Sequence, residues 1–193
     1  AGVYVPPDER PTGVVLQHPT LFPHLDLRDN AAFGLRRSGM AKEAARAAAT
    51  AWLEKLGVRD QARSRPRDVS GGQAQRAAIA RTLARDPDVL LLDEPLAALD
   101  QEGRAVVRRL LRTEEQRVDR ATVLVSHDPV DALSLTDRLV VLEDGRVIQT
   151  GLSGWSPPSV WARVSCGSAR CWARRRWPCW SRTCRYRQGA APR

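Results

Sequence analysis

The chain has 193 residues and a formal net charge of +9, with 31 Lys and Arg against 22 Asp and Glu. Nine of the basic residues and none of the acidic ones fall in residues 151–193, so residues 1–150 are electrically neutral and do not indicate a nucleic-acid binder. A body of about 150 residues is one ordinary domain, and its apolar runs are far shorter than the roughly 18 residues of a membrane-spanning helix.

The hydrophobic pattern of residues 1–150 predicts strands and helices in alternation. In chain order we expect a strand over Gly13–Leu16, helices over Ala41–Leu56 and Gly71 to about Ala84, a strand over Val89–Leu92, a helix over Asp100–Arg117, a strand over Thr122–Val125, a short helix over Val130–Leu135, and a hairpin of Leu139–Leu142 with Arg146–Gln149. The apolar runs starting at Val89 and Thr122 are typical of strands buried on both faces of a parallel sheet. This order predicts an α/β fold, in which ligands bind beyond the carboxyl ends of the strands.

The segment Ser70-Gly71-Gly72-Gln73 begins the second predicted helix. A Ser three residues before a Gln is the pattern of a capping box, which explains both residues without any ligand. The two glycines go beyond that requirement, because they allow backbone N–H groups to approach an anion at the positive end of the helix dipole. A helix cap and a phosphate-binding segment are both open interpretations of these four residues.

Polar residues follow three of the predicted strands. Asp93 and Glu94 follow the strand that begins at Val89, where a carboxylate can hold Mg²⁺ and an adjacent Glu can polarise a water for attack on a phosphate. His127 could donate a hydrogen bond to a γ-phosphate, and Gln17 follows the first strand. Taken singly, solvated carboxylates, a surface histidine and an ordinary polar residue are the simpler explanations.

In this order the segments resemble the motifs of the nucleotide-binding subunit of ABC transporters. The matching segments are the Q-loop (Gln17), the signature motif (Ser70 to Gln73, with Val69 where Leu is usual), Walker B (Val89 to Glu94), the D-loop (Ala97 to Asp100) and the switch His (His127). These motifs cover nearly all of residues 1–150, which makes the resemblance specific. It implies a P-loop NTPase-like ABC ATPase core of the α/β class, with a helical subdomain over about residues 28–85.

The resemblance also implies an ATPase that uses ATP and Mg²⁺. Glu94 would be the general base, Asp93 and Gln17 would serve Mg²⁺ and the attacking water, and His127 would sense the γ-phosphate.

Two such subunits would pair head to tail. Ser70, Gly71, Gly72 and Gln73 of one subunit would contact the ATP held by the other, while Asp100 would cross the interface. Residues 19–39 would meet the transmembrane permease subunits at the cytoplasmic face of the plasma membrane. A solute-binding protein would be an indirect partner, and no nucleic-acid partner is expected.

The phosphate-binding Walker A sequence of this family is absent from the 193 residues. The chain has only two lysines, Lys42 and Lys55, and neither follows a Gly, so the pattern G-x-x-x-x-G-K-[ST] does not occur. The first residue is Ala1 and the only Met is Met40. We therefore expect the sequence to lack an N-terminal part and the fragment to be inactive alone, because the phosphate cradle supplies most of the binding energy for the triphosphate.

The transported solute is a weaker inference from the same resemblance. The segments 5–10, 21–25 and 30–35 look like the importer branch that serves sulfate, molybdate, ferric iron, polyamines and sugars. Residues 70–76 and 127–132 are most similar to molybdate importer ATPases, so molybdate or a related oxyanion is the expected solute. The alternatives are a soluble ABC ATPase that works without a permease, and a degenerate, non-catalytic cassette that acts as an interaction protein.

Residues 151–193 differ in composition from the body and contain all four Cys and five of the six Trp. A zinc site is one interpretation, but the spacing Cys166-x₄-Cys171-x₇-Cys179-x₄-Cys184 misses the usual tight knuckles. A surface for nucleic acid or anionic membrane, a disordered tail, and translation of a GC-rich gene in a shifted frame are the other three. The absence of any acidic residue over 43 positions favours the shifted frame.

Overall fold

The computed structural model describes residues 4–6, 10–117 and 120–152, so the interpretations of residues 153–193 lie outside the described residues. The strands are β1 (Thr12–Val15), β2 (Val89–Asp93), β3 (Ala121–Val125), β4 (Arg138–Glu143) and β5 (Arg146–Leu152). The helices are α1 (Leu27–Arg37), α2 (Lys42–Lys55), a 3₁₀ turn (Pro66–Asp68), α3 (Gly71–Leu83), α4 (Gln101–Arg117) and α5 (Pro129–Leu135). Within this part of the chain, every helix is too short or too polar to cross a membrane.

Strands β1, β2 and β3 form a parallel sheet with β2 in the middle. Val15 pairs with Leu92, and Asp93 pairs with Val125, so the carboxyl ends of the three strands lie at the same edge. Helices connect the successive strands, which confirms the α/β class. Strand β1 spans Thr12–Val15 rather than Gly13–Leu16, so it ends two residues before Gln17.

Strands β4 and β5 form the predicted hairpin as a separate two-stranded antiparallel sheet. Asp144 and Gly145 connect them with φ angles of 49° and 72°. Two successive residues with positive φ are typical of the type I′ turn, whose twist matches that of the flanking strands. The sequence Asp-Gly therefore produces this hairpin by its turn chemistry.

The prediction that β2 and β3 are buried on both faces is wrong for the described part of the chain. Leu90 and Leu92 are buried, but Leu91 is 37% exposed, and its neighbours across the sheet, Val14 and Val123, are 47% and 55% exposed. Successive side chains of a strand point to opposite faces. One face thus joins the core, while Val14, Leu91 and Val123 form an open apolar face of the sheet.

The buried face of the sheet and the helices share one hydrophobic core. Helices α1, α2 and α3 pack against one another, and α3 also contacts β1. The largest buried side chains of this helical group are Leu27, Leu53, Leu56, Ile79 and Leu83, which join Val15, Leu90 and Leu92 in one cluster. On α2, Ala45, Ala49 and Leu53 face this core, as their i, i+4, i+8 spacing predicts. The strands whose carboxyl ends form this edge of the sheet are therefore supported by a packed hydrophobic core.

Candidate functional site

The predicted site residues follow the strands at one edge of the parallel sheet. Gln17 follows β1 and is exposed, Asp93 is the last residue of β2 and is exposed, and Glu94 comes next. His127 follows β3 after Ser126. Because the register aligns the strand ends, the fold brings these segments to the same edge, where ligands bind in open α/β sheets.

Glu94 and His127 are in direct contact. The Nδ1 atom of His127 lies 2.7 Å from Oε2 of Glu94, across a sequence separation of 33 residues. The Glu94 side chain is 17% exposed, whereas that of His127 is 60% exposed. The structure thus places a largely buried carboxylate beside an accessible imidazole at the edge of the sheet. Such a pair can bind a polar ligand and orient a water molecule.

The backbone of Glu94 has an unusual conformation. Its φ angle is 48°, in the left-handed region that residues other than glycine seldom adopt. Its N–H donates to the carbonyl of Val125 at 2.9 Å, which anchors the residue to the end of β3. Non-glycine residues held in this region are found preferentially at functional sites. This strain is an observation in favour of a site at Glu94.

Asp93 and Gln17 provide the oxygen atoms that Mg²⁺ prefers. Mg²⁺ is usually held by one or two carboxylates together with water and substrate phosphates, rather than by a cage of protein ligands. Within the described residues, His, Cys, Asp and Glu side chains form no group of three or more that could hold a metal. The exposed carboxylate and the exposed amide on neighbouring strand ends suit a Mg²⁺ ion that is also bound by water and substrate phosphates. The donor chemistry therefore fits the ion.

The capping box predicted at the start of α3 is confirmed. The Ser70 hydroxyl accepts a hydrogen bond from the Gln73 N–H at 3.2 Å, and the Gln73 side-chain oxygen accepts one from the Ser70 N–H at 2.9 Å. The two side chains therefore satisfy backbone groups of the first turn. The N–H groups of Gly71 and Gly72 are in the first turn as well, where α-helices have no internal acceptor for them.

Gly72 also allows a close approach between two of the motif segments. A Cβ atom at Gly72 would lie 3.2 Å from the carbonyl oxygen of Ala98, a contact tight enough to require a shift. A Cβ atom at Gly71 would meet nothing within 4 Å. The structure thus packs the start of α3 against the Ala97–Asp100 segment. Asp100 itself accepts a hydrogen bond from the Gly103 N–H at 2.8 Å and caps α4.

Two buried polar residues that the motifs do not include position these segments. Gln75 on α3 donates from its side-chain amide to the carbonyl of Leu16 at 3.1 Å, directly before Gln17. Asn30 on α1 is fully buried and hydrogen bonds with the loop before the helix. Each stands among apolar residues on the buried side of its helix. A polar residue on an otherwise apolar helical face was the signal that could have found them.

Together, the parallel sheet and the carboxylate–histidine pair at its carboxyl edge define an α/β domain with a candidate site for a polar ligand. Residues 5–97 match the family model for ABC transporters. With the relatives described next, this match supports part of an ABC importer nucleotide-binding domain with a P-loop NTPase-like α/β core.

Curated relatives of the chain are ATP-binding subunits of importers. The molybdenum import ATP-binding protein of Mycobacterium tuberculosis strain H37Rv is 47% identical over 155 residues, which are 78% of this chain and 42% of that protein. The Fe(3+) ions import ATP-binding protein of Rhizobium etli is 43% identical and the sulfate/thiosulfate import ATP-binding protein of M. tuberculosis is 46% identical, each over 147 residues, 76% of this chain and 42% of the relative. The chain thus spans about two fifths of the length of the curated relatives it matches.

Proposed function

We propose that this chain is part of the ATP-hydrolysing subunit of an ABC importer that takes up a small solute. The observation that carries the proposal is the 2.7 Å contact between His127 and Glu94 at the carboxyl edge of the sheet. In the proposed reaction Glu94 orients and polarises the attacking water. The γ-phosphate receives a hydrogen bond from His127. Because Glu94 is anchored to β3 through Val125, base and histidine would be kept in one geometry.

Two further residues at the same edge would serve the ion and the water. Asp93 would hold Mg²⁺ through water ligands, and Gln17 would contact the ion or the attacking water from the neighbouring strand. The bound Mg²⁺ would neutralise charge on the triphosphate. Support for this assignment comes from the exposure of both side chains at aligned strand ends.

The start of α3 would bind the ATP of a second copy of the subunit. Ser70, Gly71, Gly72 and Gln73 present the N-terminal end of a helix of 13 residues, where backbone N–H groups and the helix dipole favour phosphate. Asp100 lies on the segment that packs against Gly72, so a subunit bound at α3 would also meet Asp100. This supports a head-to-tail dimer.

The remaining partners would be the permease subunits and, indirectly, a solute-binding protein. Residues 19–39 would meet the permease, so the subunit would lie peripherally at the cytoplasmic face of the plasma membrane. Phe33 in this stretch is an exposed apolar side chain, which suits a protein contact. Molybdate or a related oxyanion is the proposed solute, and uptake of labelled molybdate, sulfate and ferric iron by cells lacking the gene would discriminate among the solutes that the relatives' names suggest.

ATP turnover by two polypeptides tests the proposal. The 193 residues contain no lysine after a glycine, so the chain alone should hydrolyse Mg²⁺-ATP no faster than its Glu94→Gln variant. A longer polypeptide that includes a phosphate-binding loop should be active, and Glu94→Gln should lower its kcat about 10²–10⁴-fold through loss of the general base.

Glu102→Gln is the matched control, because Glu102 is an exposed acidic residue in the first turn of α4. Its turnover should equal that of the unmodified protein. Turnover by the 193-residue chain that depends on Glu94 would contradict its proposed inactivity. Turnover of the longer protein that survives Glu94→Gln would contradict the role of Glu94.

A further inference from the structure

Arg104 in the first turns of α4 joins two of the motif segments. Its Nε donates to the carbonyl oxygen of Leu99 at 3.2 Å, and its Nη1 donates to Oδ2 of Asp128 at 3.0 Å. Leu99 directly precedes Asp100, and Asp128 directly follows His127. The Arg104 guanidinium is therefore bonded to the residue before Asp100 and to the residue after His127.

The Asp128 end of this contact is itself well fixed. Its Oδ1 accepts a hydrogen bond from the Val130 N–H at 2.8 Å, which caps α5, and its own N–H donates to the Ser126 hydroxyl at 3.1 Å. The side chains of Arg104 and Asp128 are only 28% and 25% exposed, so solvent screens their attraction less than that of a surface pair. A planar guanidinium with several fixed donors can hold two acceptors at once, which a lysine ammonium does less well.

A second ion pair supports the same arrangement one helical turn further along α4. Arg108 pairs with Asp131 on α5, and the Asp131 side chain is only 4% exposed. Helices α4 and α5 are thus tied at two levels, with Arg104 at the level of the site. The Arg108–Asp131 pair hinders movement of α5 independently of α4.

The contacts form a continuous path from Asp100 to Glu94. It runs through the backbone of Leu99, the guanidinium of Arg104, the carboxylate of Asp128 and the imidazole of His127, whose Nδ1 lies 2.7 Å from Glu94. Each non-covalent step is a hydrogen bond or an ion pair of 3.2 Å or less. A displacement at either end can therefore reach the other without a change in the hydrophobic core.

We propose that Arg104 is a positioning residue that couples the Asp100 segment to the His127–Glu94 pair. This rests on the proposed function, in which Asp100 faces a second subunit and Glu94 acts on water. In that setting, closure of the dimer at Asp100 would set the position of His127 and, through it, of the base. Arg104 touches neither reacting group and acts through its two neighbours.

Histidine NMR on the 193-residue chain tests the coupling without any nucleotide. Asp100→Ala removes the α4 cap and should shift the ring resonances of His127. The other two histidines, His18 and His24, are internal references whose resonances should stay in place. In an Arg104→Gln background the response of His127 to Asp100→Ala should be lost.

Two further variants keep this test decisive. Arg109→Gln alters an exposed arginine of the same helix and should leave the response of His127 intact. Arg104→Lys keeps the positive charge beside Asp128 and should reduce the response of His127. It serves as the test variant if Arg104→Gln unfolds. Circular dichroism identifies any variant that has unfolded. A His127 response that persists unchanged in folded Arg104→Gln or Arg104→Lys, or that is absent from the unmodified background, overturns the proposal.

A kinetic measurement on the longer, active polypeptide separates this proposal from the proposed function. Arg104→Gln should lower kcat about 10–100-fold, as expected for a misplaced base, and leave KM for ATP unchanged; Arg104→Lys should recover part of the loss. Full activity of Arg104→Gln beside an inactive Glu94→Gln would refute the coupling and leave the proposed function intact. Full activity of Glu94→Gln would refute the proposed function, while the NMR result would still decide whether the coupling exists.

Discussion

Replacing Asn30 with alanine is expected to destabilise the protein by about 3 kcal/mol. The Asn30 side chain is fully buried in α1 and organises the loop that precedes the helix. Its Oδ1 accepts the Phe22 N–H at 2.7 Å, and its Nδ2 lies 3.1 Å from the Phe22 carbonyl, 3.2 Å from that of Leu25 and 3.0 Å from that of Asp26. Alanine can make none of these contacts.

The magnitude follows from the number of hydrogen bonds that the amide can supply. Nδ2 has two N–H groups for three carbonyls, and the Asp26 carbonyl also accepts the backbone N–H of residue 30. Asn30 therefore contributes about three bonds, one as acceptor and two as donor, each worth about 1 kcal/mol in net stability. Since native domains are stable by only about 5–15 kcal/mol, this loss is a large fraction of the total.

Urea unfolding followed by far-ultraviolet circular dichroism measures the effect, with an unchanged m-value as the sign that the unfolded state is the same. Arg37→Ala is the matched control, because Arg37 is exposed on the same helix and alanine is at least as good a helix former as arginine. It should change stability by less than about 0.5 kcal/mol. A loss of less than about 1 kcal/mol in the free energy of unfolding for Asn30→Ala would show that water replaces these hydrogen bonds. It would contradict the contribution assigned to Asn30.

Two other predictions concern packing and charge. Gly13→Ala should destabilise by about 1–3 kcal/mol because the added Cβ would lie 2.6 Å from the Thr82 side chain, whereas Gly71→Ala, with nothing within 4 Å, should be neutral or stabilising in the same urea assay; equal effects would contradict the close approach. Hydrogen bonds from Arg46 at 2.6 Å hold the pKa of Asp29 below its ordinary value of 3.8. A lowered carboxyl pKa stabilises the fold above the ordinary value and loses that contribution as pH falls through the lowered pKa. The stability difference between the unmodified chain and Asp29→Asn should therefore shrink on acidification below 3.8, and a pH-independent difference would refute the assignment.

The local parts of the fold could be predicted from short stretches of sequence. The Ala45–Ala49–Leu53 spacing, the Asp144-Gly145 turn and the Ser70–Gln73 capping box each depend on residues a few positions apart, and the structure has all three. The alignment of strand ends follows from the parallel α/β pattern. Its consequence, that Glu94 and His127 come near each other, follows in turn, although their 2.7 Å contact does not.

The remaining features depend on partners distant in sequence. Arg104 looks like any exposed arginine on a helix until the fold places Asp128, 24 residues away, beside it. Asn30 is an interior amide only because the loop at Phe22 folds back over α1. Leu91 belongs to an apolar run that is typical of a strand covered on both sides, and a run of four apolar residues does not reveal whether a second layer is present. Composition and periodicity therefore locate the helices and strands, but they do not identify the distant residues that contact them.

The open apolar face of the sheet affects how the isolated chain behaves in water. Val14, Leu91 and Val123 lie side by side across three strands, and β3 is at the edge of the described sheet. Two molecules can remove these side chains from solvent by meeting face to face, and an exposed edge strand can also pair with that of another molecule. Self-association would then compete with unfolding, so the apparent stability of the isolated chain should depend on its concentration.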